Sequence, residues 1–168
     1  MTNHLKAFAN VKAFFFDVDG VMTDGSLLVT ESGEFLRLMS TRDGFAMKLA
    51  IRLGYPIGVI TGGSSKGVEH RLHLLGVQPI FSGVQDKEPV FLDFIHQSEL
   101  HPGDVLYMGD DYPDIEIMTH VGLPACPADA IPEIQRICTY ISPMKGGDGC
   151  VRDVIEKTLR IQHKWPYS

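Results

Sequence analysis

Along the whole chain, short apolar runs stop at an acidic or glycine-containing polar segment and give way to residues at helical spacing. Residues 11–17, Val-Lys-Ala-Phe-Phe-Phe-Asp, form the first such run, and its aromatic and β-branched content reads as a buried strand. From Asp43 onward Phe45, Ala46, Leu49, Ala50 and Leu53 fall on one helical face, with Asp43 read as the N-cap and Gly54 just past the end. The alternation continues with a strand over 56–61, a helix over 65–75 closed by Gly76, and a strand over 77–82. A helix with Pro89 in its first turn runs to about residue 98. Strands at 105–110, 123–126 and 140–142 then alternate with helices at 113–121, near 131–138, and from about 150 to 163. Parallel strands need a crossover between them, and a helix after nearly every strand supplies it. The pattern therefore predicts an α/β fold with a Rossmann-like, doubly wound, mostly parallel sheet. One segment breaks the rhythm. At 26–39, two apolar stretches flank Thr30-Glu31-Ser32-Gly33-Glu34, which predicts a β-hairpin inserted after the first strand.

A chain of 168 residues with no linker or low-complexity stretch predicts one domain spanning 1–168. Its formal net charge of −6 argues against nucleic-acid partners and against adhesion to an anionic membrane. No apolar run approaches the roughly 18 residues that a membrane span requires. Cys126, Cys138 and Cys150 are odd in number and contain no Cys-x-x-Cys, so they read as reduced packing residues. With no secretory pattern at the start, the expected location is cytoplasmic.

In open parallel sheets ligands gather beyond the carboxyl ends of the strands. Those ends are polar here in a consistent way: Asp17-Val18-Asp19-Gly20, Thr61-Gly62-Gly63-Ser64, Lys87 at a helix start, and Gly109-Asp110-Asp111 with Asp114. So many carboxylates repel one another unless a hard, oxygen-seeking cation such as Mg²⁺ sits among them. Thr61, the amides around Gly62 and the Lys87 ammonium suit a phosphate group. A phosphomonoester neutralised in this way becomes open to in-line attack by a carboxylate. Asp17 is the candidate nucleophile, and Asp19 the candidate acid and base.

These motifs resemble the four that mark the haloacid dehalogenase superfamily. Asp-Val-Asp-Gly-Val-Met-Thr-Asp-Gly at 17–25, Arg42-Asp43-Gly44, Ile60-Thr61-Gly62, Gly-Val-Gln-Asp-Lys at 83–87 and Gly146-Gly147-x-Gly149-x-Val-Arg152 are similar to its 3-deoxy-D-manno-octulosonate 8-phosphate phosphatases. The resemblance implies Mg²⁺ held by Asp17, Asp110 and the backbone carbonyl of Asp19. It also implies catalysis by Asp17 and Asp19, a phosphoryl group held by Thr61, Gly62 and Lys87, and support from Asp111 and Asp114. Arg71 would meet the carboxylate of a sugar-acid phosphate, a role balanced against an exposed helix arginine. Residues 20–60 and 62–86 are too short to hold a cap domain. A homotetramer joined through the hairpins, with a neighbouring subunit closing the site, would take its place, and the segment at 144–149 would reach into a neighbour. A nonulosonate 9-phosphate phosphatase stays open as an alternative, as does a non-catalytic phosphoacceptor or regulatory domain. Arg42 and Lys145 read as surface or interface residues, and His70 and His73 as a solvated helix face.

Overall fold

The computed structural model describes residues 3–167; residues 1, 2 and 168 at the ends of the expected domain lie outside the described residues. A helix α1 (Asn3–Asn10) precedes strand β1 (Ala13–Phe16). An antiparallel pair follows, β2 (Leu28–Val29) and β3 (Phe35–Leu36), and then helix α2 (Thr41–Arg52). Strand β4 (Ile57–Ile60), helix α3 (Lys66–Leu75), strand β5 (Ile80–Phe81) and helix α4 (Lys87–Gln97) form the next crossovers. The chain finishes with β6 (Val105–Met108), α5 (Ile115–Met118), β7 (Leu123–Cys126), α6 (Pro132–Ile137), β8 (Tyr140–Ile141) and α7 (Cys150–Ile161).

Six strands form one sheet in the order β5-β4-β1-β6-β7-β8, and every pairing in it is parallel. The strands alternate strictly between two cores. Phe14 and Phe16 of β1 and Leu106 and Met108 of β6 face the side covered by α1, α2, α3 and α7. Ala13 and Phe15 of β1 and Val105 and Tyr107 of β6 face α4, α5 and α6. Burial on both faces explains why β1 is uniformly apolar, and it makes the sheet doubly wound as the sequence predicts. Between β1 and β4 the described residues hold only the hairpin and α2, and between β4 and α4 only α3 and β5. No cap therefore covers the carboxyl edge of the sheet among the described residues. Among the described residues no helix is long and apolar enough to cross a membrane.

Several local expectations need correction. Asp43 is not the N-cap of α2: Ser40 is, its hydroxyl accepting the Asp43 amide at 3.3 Å. Asp43 instead points inward from the first turn, and its Oδ1 accepts the Arg152 amide at 2.7 Å, capping α7 from a distance. Residues 113–121 divide into a 3₁₀ turn at Tyr112–Asp114 and the short α5, because the Asp111 and Asp114 side chains form a reciprocal capping box there. Helix α1 was missing from the sequence reading; Phe8 buries its ring edge-on to Tyr140, and Gln162 Nε2 bonds the carbonyls of Phe8 and Val11.

The Gly146-Gly147 segment makes a close contact within the chain. It packs on residues 20–24 of its own chain, where a Cβ at Gly146 would stand 2.1 Å from the Gly20 carbonyl oxygen. The Gly147 amide donates to the Val21 carbonyl at 3.0 Å. Two backbones this close require glycine, so the segment braces the loop after β1. All three cysteines are free, and Cys126 and Cys150 are buried.

Phe15 is the most exacting core position. Its ring lies 5.4 Å from those of Phe91 and Phe94, and a Cβ on Gly58 would stand 2.2 Å from its Cε1. Phe15→Ala is expected to lower the unfolding free energy by about 3–5 kcal/mol in urea denaturation. Gly58→Ala is expected to destabilise as well, since the ring has nowhere to move.

Candidate active site

The strand order turns back on itself between β1 and β6. The chain winds outward from β1 through β4 to β5, then returns to place β6 on the other side of β1. At such a switch point the loops leaving neighbouring strands diverge and open a crevice. Asp17 leaves β1 here with its amide still in the ladder, donating to the Met108 carbonyl at 3.0 Å. Thr61 leaves β4 in the same way, its amide donating to Phe81 at 2.9 Å. Backbone pairing thus fixes both functional residues to the rigid sheet. Asp17, Asp19, Thr61, Gly62, Lys87, Asp110, Asp111 and Asp114 line one open pocket of about 380 Å³.

Lys87, the first residue of α4, is the electrostatic centre of this pocket. Its side chain is only 3% exposed, and its Nζ lies 2.8 Å from Asp114 Oδ1 and 3.0 Å from Asp17 Oδ1. Burial pulls the ammonium pKa down, but Asp114 and Asp17 outweigh it and hold Lys87 above its usual value. Asp114 is fully committed. Its Oδ1 accepts both Lys87 and the buried Tyr107 hydroxyl, the latter at 2.6 Å, while Oδ2 accepts the amides of Asp110 (3.0 Å) and Asp111 (3.4 Å). Its carboxyl also fills the space over Gly109, where a Cβ would stand 2.3 Å from Asp114 Cγ.

One lysine does not balance this many acids. Burial first, then Asp114, pushes the Asp17 pKa up to about 6, with Lys87 pulling the other way. Burial, then Asp17, Asp114 and Asp111, pushes Asp110 up to about 8. Two buried carboxylate oxygens, Asp17 Oδ1 and Asp110 Oδ1, have no hydrogen-bond partner. The 3.0 Å approach of Lys87 to Asp17 Oδ1 is an ion-pair distance without hydrogen-bond direction. Carboxylate oxygens of Asp17, Asp110 and Asp114 can lie within 4.8 Å of one another. Because Asp114 is already saturated, Asp17, whose Oδ1 has only the Lys87 ion pair, and Asp110, whose Oδ1 has no hydrogen-bond partner, are the carboxylates that fit a hard divalent cation. Gly20, with φ of +89°, passes so close to Asp110 that a Cβ would stand 2.0 Å from its Oδ2.

The remaining expected residues divide by position. Thr61 Oγ1 accepts the Gly63 amide at 3.3 Å, which leaves its own proton to donate into the pocket. The Asp19 carboxylate is paired with Arg37. Asp111 caps the 3₁₀ turn and is itself exposed. Arg71 does not join the cluster. It lies in the groove between the hairpin and α3, lined also by Phe35, Arg37 and Ser65, where its guanidinium comes against Gly44. His70, His73, Arg42 and Lys145 are exposed. Sequence reasoning missed two residues, Tyr107 and Arg37. Tyr107 belongs to an apolar strand run, and Arg37 lies eighteen positions from its partner on an inserted hairpin, so no local spacing signals either one.

A family model described as haloacid dehalogenase-like hydrolase matches residues 76–154. The chain is 35% identical over 156 residues to the 3-deoxy-D-manno-octulosonate 8-phosphate phosphatase of Yersinia pestis, covering 93% of this chain and 83% of that protein. A crystal structure of the Yersinia pestis phosphatase matches with a TM-score of 0.94 at 33% identity, covering 96% of this chain and 88% of that one. A Moraxella catarrhalis 3-deoxy-D-manno-octulosonate 8-phosphate phosphatase, solved in complex with a magnesium ion, a phosphate ion and a KDO molecule, matches with a TM-score of 0.93 at 27% identity. The match covers 97% of this chain and 94% of that one.

The raised carboxyl pKa values set a pH dependence. Asp17 near 6 and Asp110 near 8 lie above the ordinary value of 3.8, so the folded chain holds more protons than the unfolded chain between these limits. Their stabilising contribution is full below about pH 4 and is lost as pH rises through 6 and 8. A divalent cation competes with those protons. The rise in Tm on adding Mg²⁺ is therefore expected to be larger at about pH 8.5 than at about pH 5.5, read by differential scanning calorimetry.

Proposed function

Because the chain belongs to the 3-deoxy-D-manno-octulosonate 8-phosphate phosphatases among the haloacid dehalogenase-like hydrolases, we propose that it hydrolyses 3-deoxy-D-manno-octulosonate 8-phosphate to KDO and phosphate. The observation that carries this reading is Lys87 buried between Asp17 and Asp114 beside Asp110, whose buried Oδ1 has no hydrogen-bond partner. A site so built binds a cation and a phosphoryl group together. Asp17, Asp110 and the Asp19 carbonyl would hold Mg²⁺, which would neutralise the phosphoryl oxygens.

The residues of the chain do the rest. Lys87 and Thr61 hold the phosphoryl oxygens and orient phosphorus toward Asp17. A carboxylate oxygen of Asp17 attacks phosphorus, the ester P–O bond breaks, and the departing alkoxide takes the proton of a protonated Asp19 carboxyl. That carboxyl keeps one of its two Arg37 bonds and returns to the full ion pair on losing the proton. Water then attacks phosphorus and passes a proton to Asp19, while the bond between phosphorus and Asp17 breaks. Phosphate leaves, and both carboxyl groups return to their starting state. Asp114 and Tyr107 keep Lys87 in place throughout.

A Cβ on Gly63 would stand 3.0 Å from both Asp19 Oδ2 and Arg37 Nη2. That crowding leaves little space for the acidic residue that nonulosonate 9-phosphate phosphatases can carry after Thr-Gly, and so favours the eight-carbon substrate. Such a reaction belongs to lipopolysaccharide or surface-polysaccharide biosynthesis in the cytoplasm. The acid/base Asp19 favours turnover over a stable phosphoacceptor role.

The same reading makes the chain a homotetramer in which a neighbouring subunit closes the open pocket. Its support is the hairpin, where β2 and β3 have two residues each and leave Leu28 66% and nearby Leu38 85% exposed. A two-stranded ribbon of this size is marginal alone and needs covering.

Two experiments test these proposals. In a panel of sugar phosphates, Mg²⁺-dependent phosphate release is expected to be fastest with the eight-carbon ulosonate ester, and Asp17→Asn is expected to abolish it. Release from no ulosonate phosphate would end the proposal. Light scattering is expected to give a tetramer, and Leu28→Asp with Leu36→Asp is expected to dissociate it; an active wild-type monomer would contradict the assembly.

A further inference from the structure

Arg37 immediately follows β3 at the foot of the hairpin, and its guanidinium is paired with Asp19. Its side chain is 7% exposed. Nε donates to Asp19 Oδ1 at 2.7 Å, Nη2 donates to Asp19 Oδ2 at 3.0 Å, and Nη1 donates to the Phe35 carbonyl at 3.0 Å. A guanidinium fork on both oxygens fixes the plane of a carboxylate as well as its distance. Gly63 closes the pair from the other side, with 3.0 Å between its Cβ position and each partner. Among the described residues, Arg37 alone hydrogen-bonds the Asp19 side chain, which is otherwise a one-third exposed carboxylate on a loop.

We propose that Arg37 is a positioning residue that holds the Asp19 carboxylate in the orientation its proton transfers require. The inference rests on the phosphatase reading, in which Asp19 gives a proton to the leaving alkoxide and takes one from the attacking water. Proton transfer needs heavy atoms within about 2.6–3.2 Å, and a carboxylate free to rotate about χ1 and χ2 spends little time there. Because Arg37 continues directly from β3, whatever covers the hairpin also steadies Asp19. The inserted ribbon then has a chemical role besides any role in assembly.

The test uses the Mg²⁺-loaded wild type, Arg37→Met and Arg37→Lys with p-nitrophenyl phosphate and with the sugar phosphate that the wild type turns over. p-Nitrophenolate leaves without protonation, so transfer to Asp17 survives the loss of Asp19 orientation, whereas release of phosphate by water does not. Arg37→Met is expected to show a burst of one p-nitrophenolate per site, then a steady state about 100-fold slower than wild type with KM within about twofold. On the sugar phosphate it is expected to show no burst and at least as large a loss. Arg37→Lys keeps the charge but makes only one of the two bonds, so an intermediate rate with the same burst is expected; this variant decides alone if circular dichroism finds Arg37→Met unfolded. A raised KM with unchanged kcat would overturn the proposal by making Arg37 a substrate-binding residue. Unchanged kinetics, or a slower kcat without a burst, would overturn it as well. A wild type that frees no phosphate from either ester would overturn the phosphatase reading, and this inference with it.

Discussion

The ion cluster in which Lys87 bridges Asp17 and Asp114 governs the rest of the site. It joins the end of β1, the start of α4 and the turn after β6, three parts of the chain that meet only because the sheet reverses its winding between β1 and β6. A buried lysine is costly unless it is paired, and a buried carboxylate likewise. Here the accounts do not balance: the acids outnumber the single cation, and the surplus appears as raised pKa values on Asp17 and Asp110 and as an Asp110 Oδ1 with no hydrogen-bond partner. The local surplus of negative charge over the single lysine is what gives the pocket affinity for a divalent cation and, through it, for a phosphoryl group.

Close backbone approach keeps this arrangement tight. Gly20 and Gly109 pass directly beneath the carboxyl groups of Asp110 and Asp114, and Gly146 with Gly147 press on the loop that carries Asp19. Each contact removes a degree of freedom from a residue on a loop, where positioning is otherwise weakest. The sheet ladder does the same for Asp17 and Thr61, whose amides remain bonded to the neighbouring strand after regular pairing ends. The chemistry thus rests on positions set by backbone, with side-chain hydrogen bonds as a second layer.

The strand–helix alternation was legible because each element carries its own period: β1 is apolar on both faces, and α3 repeats Val68, Leu72 and Leu75 before Gly76. Asp17, Asp19, Thr61, Lys87 and Asp110 were legible because parallel strands deliver their ends to one edge. What stayed hidden depends on long-range geometry. Asp43 has the composition of a cap for its own helix but caps α7, more than one hundred residues away, because α2 and α7 pack together. Arg37 looks like any polar residue on a hairpin until the ribbon folds over Asp19. The glycines at 146 and 147 give no local sign of the partner that they press against, the backbone of residues 20–24. Local pattern reveals elements; it does not reveal which of two distant partners an arginine or an acid will choose.

The account turns on which carboxylates hold the cation. Anomalous scattering from crystals grown with Mn²⁺ measures this directly. One ion is expected, bound by Asp17, Asp110 and the Asp19 carbonyl, with Asp114 still bonded to Lys87 and Tyr107. An ion bound by the Asp114 carboxylate or the Asp19 side chain, or no ion at this site, would contradict the charge balance on which the mechanism stands.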